Sequence, residues 1–407
     1  MELTLSKGSR YKRLLTPLLL IITALFLSTH VTAEETVHST KPSQVSPEQI
    51  EVAKAFAAAL NSQDVDTIAN FFDMSAFGDL VLAQMETERN IKNALAQQYK
   101  TPAFARTFAQ SSFILPPNSP ANFDYKGLVK TDLFGVRPLI RLDYLSGGHE
   151  FMLIFFDADN KIIDLFYATK GNLTSKSVAS TTQMILPAQN RFVARLLKED
   201  DDAEKAIESF QKMLALRQQG RFQEVLDILS TLPETMRSSR SLIDFEVLIA
   251  QNVGEAEYID ALSKLNKYYG DDPSTSFMLV DYHVTVEQNE AAMRSVEQAM
   301  AFWGEDAALY NLKANMYFLL NDLNAAIGAA KKAVQLEPEF EDSYWTLVAL
   351  QDLTQDFSGL TETFAEVKKR FNPELTPQMV AESGAVANYP SSEEFKEAAA
   401  RNSFAKE

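Results

Sequence analysis

DAALYNLKANMYFLLNDLNAAIGAAKKAVQLEPEF, residues 306–340, is the stretch from which the fold is read. Apolar residues recur at helical spacing on both sides of the polar pair Asn321-Asp322, and the pattern stops at Pro338, which cannot continue a helix. The spacing therefore predicts two antiparallel helices around a short turn. Ala326, Ala330 and Ala333 repeat along the second helix, with Tyr310, Ala314 and Tyr317 along the first. Small side chains let helices approach closely, and large rings fill the gaps beside them.

These residues resemble a tetratricopeptide repeat, through Tyr310, Ala314 and Tyr317, through Ala326, Ala330 and Ala333, and through the closing Pro338. At that family's period of about 34 residues, Ala292 and Ala299 line up with Ala326 and Ala333 in a unit starting near Pro273. Forward, Tyr344, Leu347, Leu360, Phe364 and Val367 fall on equivalent positions, with Asn372-Pro373 as the stop. Backward, Leu242, Phe245, Leu262 and Leu265 fit loosely, and Gly220-Arg221-Phe222 reproduces the turn. Five helical pairs are expected over 203–371, since one unit cannot bury its own apolar face. Val280, Val348 and Lys313 depart from the pattern, so packing beside the two valines should be looser or tilted.

The resemblance implies a protein or peptide partner held along the wall made by first helices. Carried over position by position, that wall comprises Phe277, Asp281, Asn311, Asn315, Phe318, Trp345 and Asp352. Aromatics flanked by Asp and Asn suit a partly apolar segment that is neutral or basic. The basic residues with which some family members clamp acidic carboxyl-terminal tails are missing. Burial of Phe277, Phe318 and Trp345 against adjacent helices is the competing reading.

The 407 residues are 46% hydrophobic and 23% charged, which is ordinary folded composition for two or three domains. A formal net charge of −17 disfavours nucleic acid and anionic lipid. The lack of cysteine excludes disulfides, thiol catalysis and Cys-based metal sites. No cofactor is expected.

A basic segment over 7–13, an apolar run over 14–27 and Val31-Thr32-Ala33 read as an export signal cleaved after Ala33. The run is shorter than the roughly 20 residues that span a bilayer. A periplasmic or secreted chain with no lasting membrane anchor is therefore expected, its net charge falling to about −20 on loss of four basic residues and one acid. Residues 34–45 are polar and proline-containing, a flexible lead-in.

Ser46-Pro47-Glu48-Gln49 opens a helix as a capping box with Pro in the first turn, running to about Leu60 with Val52, Phe56 and Leu60 buried. A second helix starts at Asp64 or Asp66, and helical pattern continues over 76–109. Three prolines at 115–121 end that regime. Period-two runs at 123–129, 136–144, 151–156 and 162–167 then read as strands, the last three an antiparallel meander turning at Gly147-Gly148 and Asp157–Asn160. The order, together with FAAALNSQDVDTIANFF, resembles the α+β roll of the nuclear transport factor 2-like (SnoaL-like) family over 46–175.

That family uses its sheet as an enzyme pocket or as a docking surface, which implies a small-ligand or isomerase/hydrolase alternative. Its polar candidates are Asp124, Tyr125, Arg141, Asp143, Tyr144 and His149. Arg141 and Asp143 share one face of a strand, where a solvated pair on the wet side is expected, and His149 beside two glycines reads as a turn residue. Asp157-Ala158-Asp159-Asn160-Lys161 begins like a calcium loop but has Ile162 and Ala168 where Gly and Glu belong, so it reads as a turn. Asn172-Leu173-Thr174 matches a glycosylation sequon that an exported bacterial chain leaves unmodified.

Residues 176–202 read as a connector, Ser/Thr-rich over 177–183, with a helix beginning at 184–197. The acidic run at 199–202 suits a helix start better than a metal. Residues 372–407 give two short helices that cap the array, one after Thr376-Pro377 and one after Ser391-Ser392. The fold class is thus an α+β roll followed by an all-α tetratricopeptide-like array, and the leading function an exported, non-enzymatic interaction scaffold.

Overall fold

A computed structural model describes residues 45–115, 120–145, 147–185 and 200–404. The expected export signal, nearly all of the lead-in and most of the helix start at 184–197 lie outside the described residues. Two compact units divide at Leu279 and Val280.

In the first unit, helix α1 (Pro47–Ser62) opens with the expected capping box: the Gln49 N–H donates to Ser46 Oγ at 3.2 Å, and the Ser46 N–H to Gln49 Oε1 at 3.2 Å. Gln63 then takes a left-handed conformation and Asp64 caps α2 (Val65–Ala69). The helical pattern expected over 76–109 is divided among three helices: α3 (Met74–Ala83), α4 (Arg89–Tyr99) and α5 (Pro102–Phe113). Asp73 and Thr101 start α3 and α5 by accepting the Ala76 and Phe104 N–H groups, and Pro102 has no N–H with which to continue α4.

Five strands follow: β1 (Ala121–Thr131), β2 (Gly135–Tyr144), β3 (His149–Phe156), β4 (Ile162–Tyr167) and β5 (Asn172–Leu173). They pair antiparallel in sequence order, so the meander includes β1 as well as the three strands expected. The turn between β3 and β4 is held by Asp157, whose Oδ1 accepts the N–H groups of Asp159 (2.9 Å) and Lys161 (2.8 Å). Its carboxylate serves the turn, as the rejected calcium loop requires.

Ile140, Leu142, Met152, Ile154, Leu165 and Tyr167 point from one face of the sheet into a core shared with α1 to α5. Phe56, Phe72, Phe77, Phe108 and Phe113 fill that space, with ring centroids 5.2–5.9 Å apart. Each ring buried contributes about 1.5–3 kcal/mol. The opposite face is covered too: Leu139, Phe151, Leu153 and Phe166 are buried. A sheet buried on both sides reads as continuous apolar runs, which is why β4 is IIDLFY.

The Ser/Thr-rich stretch expected as a connector is helical, in α6 (Thr174–Ile185). Buried Asp164 on β4 fixes its start by accepting the N–H (2.9 Å) and the hydroxyl (2.5 Å) of Ser175. Helices α7 (Asp200–Gln218), α8 (Phe222–Thr231), α9 (Glu234–Arg237), α10 (Arg240–Ala250) and α11 (Glu255–Tyr269) follow. The first helical pairs join the sheet module closely. Gly171, at φ 56° after β4, leaves no room for a methyl group against the Arg240 guanidinium and the Ser274 carbonyl.

Helix α12 (Ser276–Thr285) crosses the division, and the second unit continues with α13 (Asn289–Trp303), α14 (Ala307–Leu319), α15 (Leu323–Leu336), α16 (Glu341–Thr354) and α17 (Phe357–Arg370). The repeat is written in the backbone: Glu287, Asn321 and Gln355 sit one period apart, all left-handed, with φ of 59°, 62° and 60°. The residue after each donates to a carbonyl five residues back, Gln288 to His283 (2.8 Å), Asp322 to Tyr317 (2.9 Å) and Asp356 to Gln351 (2.9 Å). This closes each first helix as a Schellman motif. Arg221 does the same to Leu216 after α7.

Ala292, Ala299, Ala314, Ala326, Ala330 and Ala333 are wholly buried. Ala314, Ala326 and Ala330 share one core with Leu347 and Leu350, so the alanines of α14 and α15 meet the leucines of α16. Val280 and Val348 are buried despite their size. Lys313 is accommodated by a hydrogen bond to Glu297 on α13 at 3.3 Å, with its Nζ 5.7 Å from the Tyr317 ring centre.

Helices α18 (Pro377–Ser383) and α19 (Glu393–Arg401) close the array. Thr376 and Ser392 cap them by accepting the Met379 and Phe395 N–H groups. Between them Tyr389 is buried against Phe364 and Phe395, and its hydroxyl meets Thr361 at 2.7 Å.

Candidate functional site

On α14, Asn311, Asn315 and Phe318 lie at i, i+4 and i+7, which places them on one helical face. All three are half-buried. Trp345 on α16 is half-buried as well; its Nε1 donates to Glu341 at 2.9 Å while its ring meets Phe364 edge-on. Asp281 on α12 stands one period before Asn315, and burial pushes its carboxyl up to about 6. The Asn311 Oδ1 is buried and accepts from no donor among the described residues.

Two of the seven wall positions are taken up within the chain. Phe277 belongs to the first unit, where it is buried and its ring meets Phe151 edge-on at 5.5 Å. Asp352 is buried, and its carboxylate accepts three consecutive backbone N–H groups, from Ala387 (2.8 Å), Asn388 (3.0 Å) and Tyr389 (2.7 Å). It anchors the segment between the capping helices. The other five expected wall residues, Asp281, Asn311, Asn315, Phe318 and Trp345, are half-buried in the second unit.

The sheet module holds a second polar group, and here the expectation of a solvated pair is corrected. Arg141 is fully buried and grips Asp143 with two bonds, Nε to Oδ1 at 2.7 Å and a terminal nitrogen to Oδ2 at 2.8 Å. His149 is the first residue of β3 rather than a turn residue, and its Nδ1 lies 2.6 Å from Asp143 Oδ1. Burial alone raises the Asp143 carboxyl, but the hydrogen bonds and charges of His149 and Arg141 outweigh it and hold it at about 2. A general base works best near the operating pH. Asp143 is tuned the other way, as a permanently ionised clasp between β2 and β3.

Tyr144 shares the opposite, helix-facing side with Tyr125, and burial pushes both hydroxyls up. Asp124 is exposed and paired with Lys126 at 3.0 Å. Sequence reasoning missed Glu150 and Lys170. Buried Glu150 accepts the N–H groups of Phe151 (3.1 Å) and Thr169 (3.0 Å) and the Thr169 hydroxyl, and burial raises its carboxyl. Lys170 lies over the Tyr167 ring at 4.1 Å, its amine brought down to about 8 by burial. Alternation does place Glu150 on the Leu142 and Tyr144 side, which was the available clue. Beyond these groups the helix-facing space is filled by phenyl rings.

Among the described residues no group of three or more His, Asp or Glu side chains is placed to hold a metal ion, and no helix is long and apolar enough to cross a membrane. No protein-family model matches the chain, and no curated protein does. Similar solved structures include "MamA 41-end from Desulfovibrio magneticus RS-1", at 19% identity and TM-score 0.35, covering 41% of this chain and 94% of that one. The "MamA RS-1 ArsTM double mutant" is 20% identical over 40% of this chain and 91% of that chain, with a TM-score of 0.34. A further MamA crystal structure is 13% identical over 43% and 93% respectively, TM-score 0.34.

Proposed function

We propose that this chain is an exported, non-enzymatic scaffold that docks a neutral or basic protein segment on the first helices of a tetratricopeptide-like array. The observation that carries this reading is the half-buried stripe of Asn311, Asn315 and Phe318 on α14, together with half-buried Trp345 on α16. Amide side chains can bond an extended backbone, and aromatic rings give large contact area at small entropic cost. The signal-like residues 1–33 support delivery to a periplasm, and the acidic composition supports a basic partner over nucleic acid. On the same reading the first module is a nuclear transport factor 2-like roll that supports the array.

Tagged wild-type, Phe318→Ala and Trp345→Ala chains, each used to capture partners from an envelope fraction, test the reading. At least one partner bound by wild type should be lost from both variants at a temperature at which both remain folded. Retention of every partner by both variants overturns the docking wall.

A further inference from the structure

We propose that Asp281 and Asn311, on the neighbouring first helices α12 and α14, form a subsite for the lysine or arginine of a partner protein. The inference rests on the docking wall proposed above and names the chemistry of one anchor point within it. Val280 and Val284 of α12 belong to the same core cluster of the second unit as Leu312 and Met316 of α14. Asp281 directly follows Val280, and Asn311 directly precedes Leu312. The repeat frame places both on the first-helix face, Asp281 as the counterpart of Asn315 and Asn311 one turn before it.

Both groups are acceptors in need of a donor. The Asn311 Oδ1 is buried without one, and no side chain among the described residues donates to the Asp281 carboxylate. Burial is the sole cause acting on that carboxyl, with no cation to offset it. A half-buried carboxylate without a donor is costly, and an unbonded buried amide oxygen adds to the cost. Lys313, one turn along α14 from Leu309, is not the missing cation, because it is drawn to Glu297 and lies over Tyr317. A lysine ammonium or an arginine guanidinium brings several N–H donors and a full positive charge on an apolar stem. Phe318, on the same face of α14, offers apolar surface for such a stem. The chain's net charge of −17 draws the cation in.

Short random peptides displayed on phage and selected against the intact chain provide the test. Selected peptides that depend on Trp345 should share a lysine or arginine at one fixed position. Replacing that residue with norleucine, or making Asp281→Asn or Asn311→Leu in the protein, should weaken binding on the order of tenfold. Asp281→Asn should melt at or above the wild-type temperature, since it removes an unpaired charge, and a merely structural role would instead lower it. Selected peptides with no fixed cation, or equal binding by Asp281→Asn and Asn311→Leu, overturn the subsite while the wall stands. If no selected peptide depends on Trp345, the wall itself fails and the subsite with it.

Discussion

Asp143 shows how far one residue's surroundings can depart from what strand alternation suggests. Alternation correctly put Arg141 and Asp143 on one side of β2, but that side is buried, so the pair is a clasp in a low-dielectric setting. Its pH dependence follows from the sign of the shift. The folded carboxyl titrates at about 2 against an ordinary 3.8, so the clasp contributes fully above the ordinary value and is lost as pH falls through the interval between them. Asp143→Asn removes the carboxylate that Arg141 grips with two bonds and should cost about 2 kcal/mol near neutral pH. Urea unfolding across a pH series should show the gap between variant and wild type narrowing below about pH 4. A gap that stays constant down to pH 2 would contradict the clasp.

At the scale of elements, α15 carries a paired test of how the array is packed. Ala330 is wholly buried where α14, α15 and α16 meet, so Ala330→Leu should overpack the crossing and cost about 1–3 kcal/mol. Gly328, two residues earlier, is exposed, and an added methyl group would meet nothing within 4 Å. Gly328→Ala should stabilise by up to about 1 kcal/mol through helix propensity. Opposite shifts in melting temperature are expected, and a loss in both, or in neither, would argue against the crossing. Elements whose causes are local were legible in the sequence: the Ser46 capping box, the turn at Asn321-Asp322 and the buried alanines all act within a few residues. Elements with distant causes were not. Helix α6 begins where it does because Asp164, on another strand, accepts from Ser175, and Ser/Thr content alone spoke for a connector. The positions of the expected wall can be counted along the repeat, but the sequence could not say that Phe277 would meet Phe151 or that Asp352 would hold the backbone of residues 387–389.

At the scale of the whole molecule, the described residues comprise a five-stranded sheet covered on both faces in the first unit and successive helical pairs in each unit. Within the sheet module, the carboxylates of Asp143, Glu150 and Asp164 each accept hydrogen bonds from the chain's own residues. The central claim is that binding occurs on the first helices and not on the second. Site-specific photo-crosslinking in intact cells tests it most directly, with a photoreactive residue placed at Asn315 on α14 or at exposed Lys331 on α15. A discrete crosslinked partner from position 315, absent from position 331, is the expected result. Equal crosslinking from both positions, or a partner caught only from 331, would contradict it.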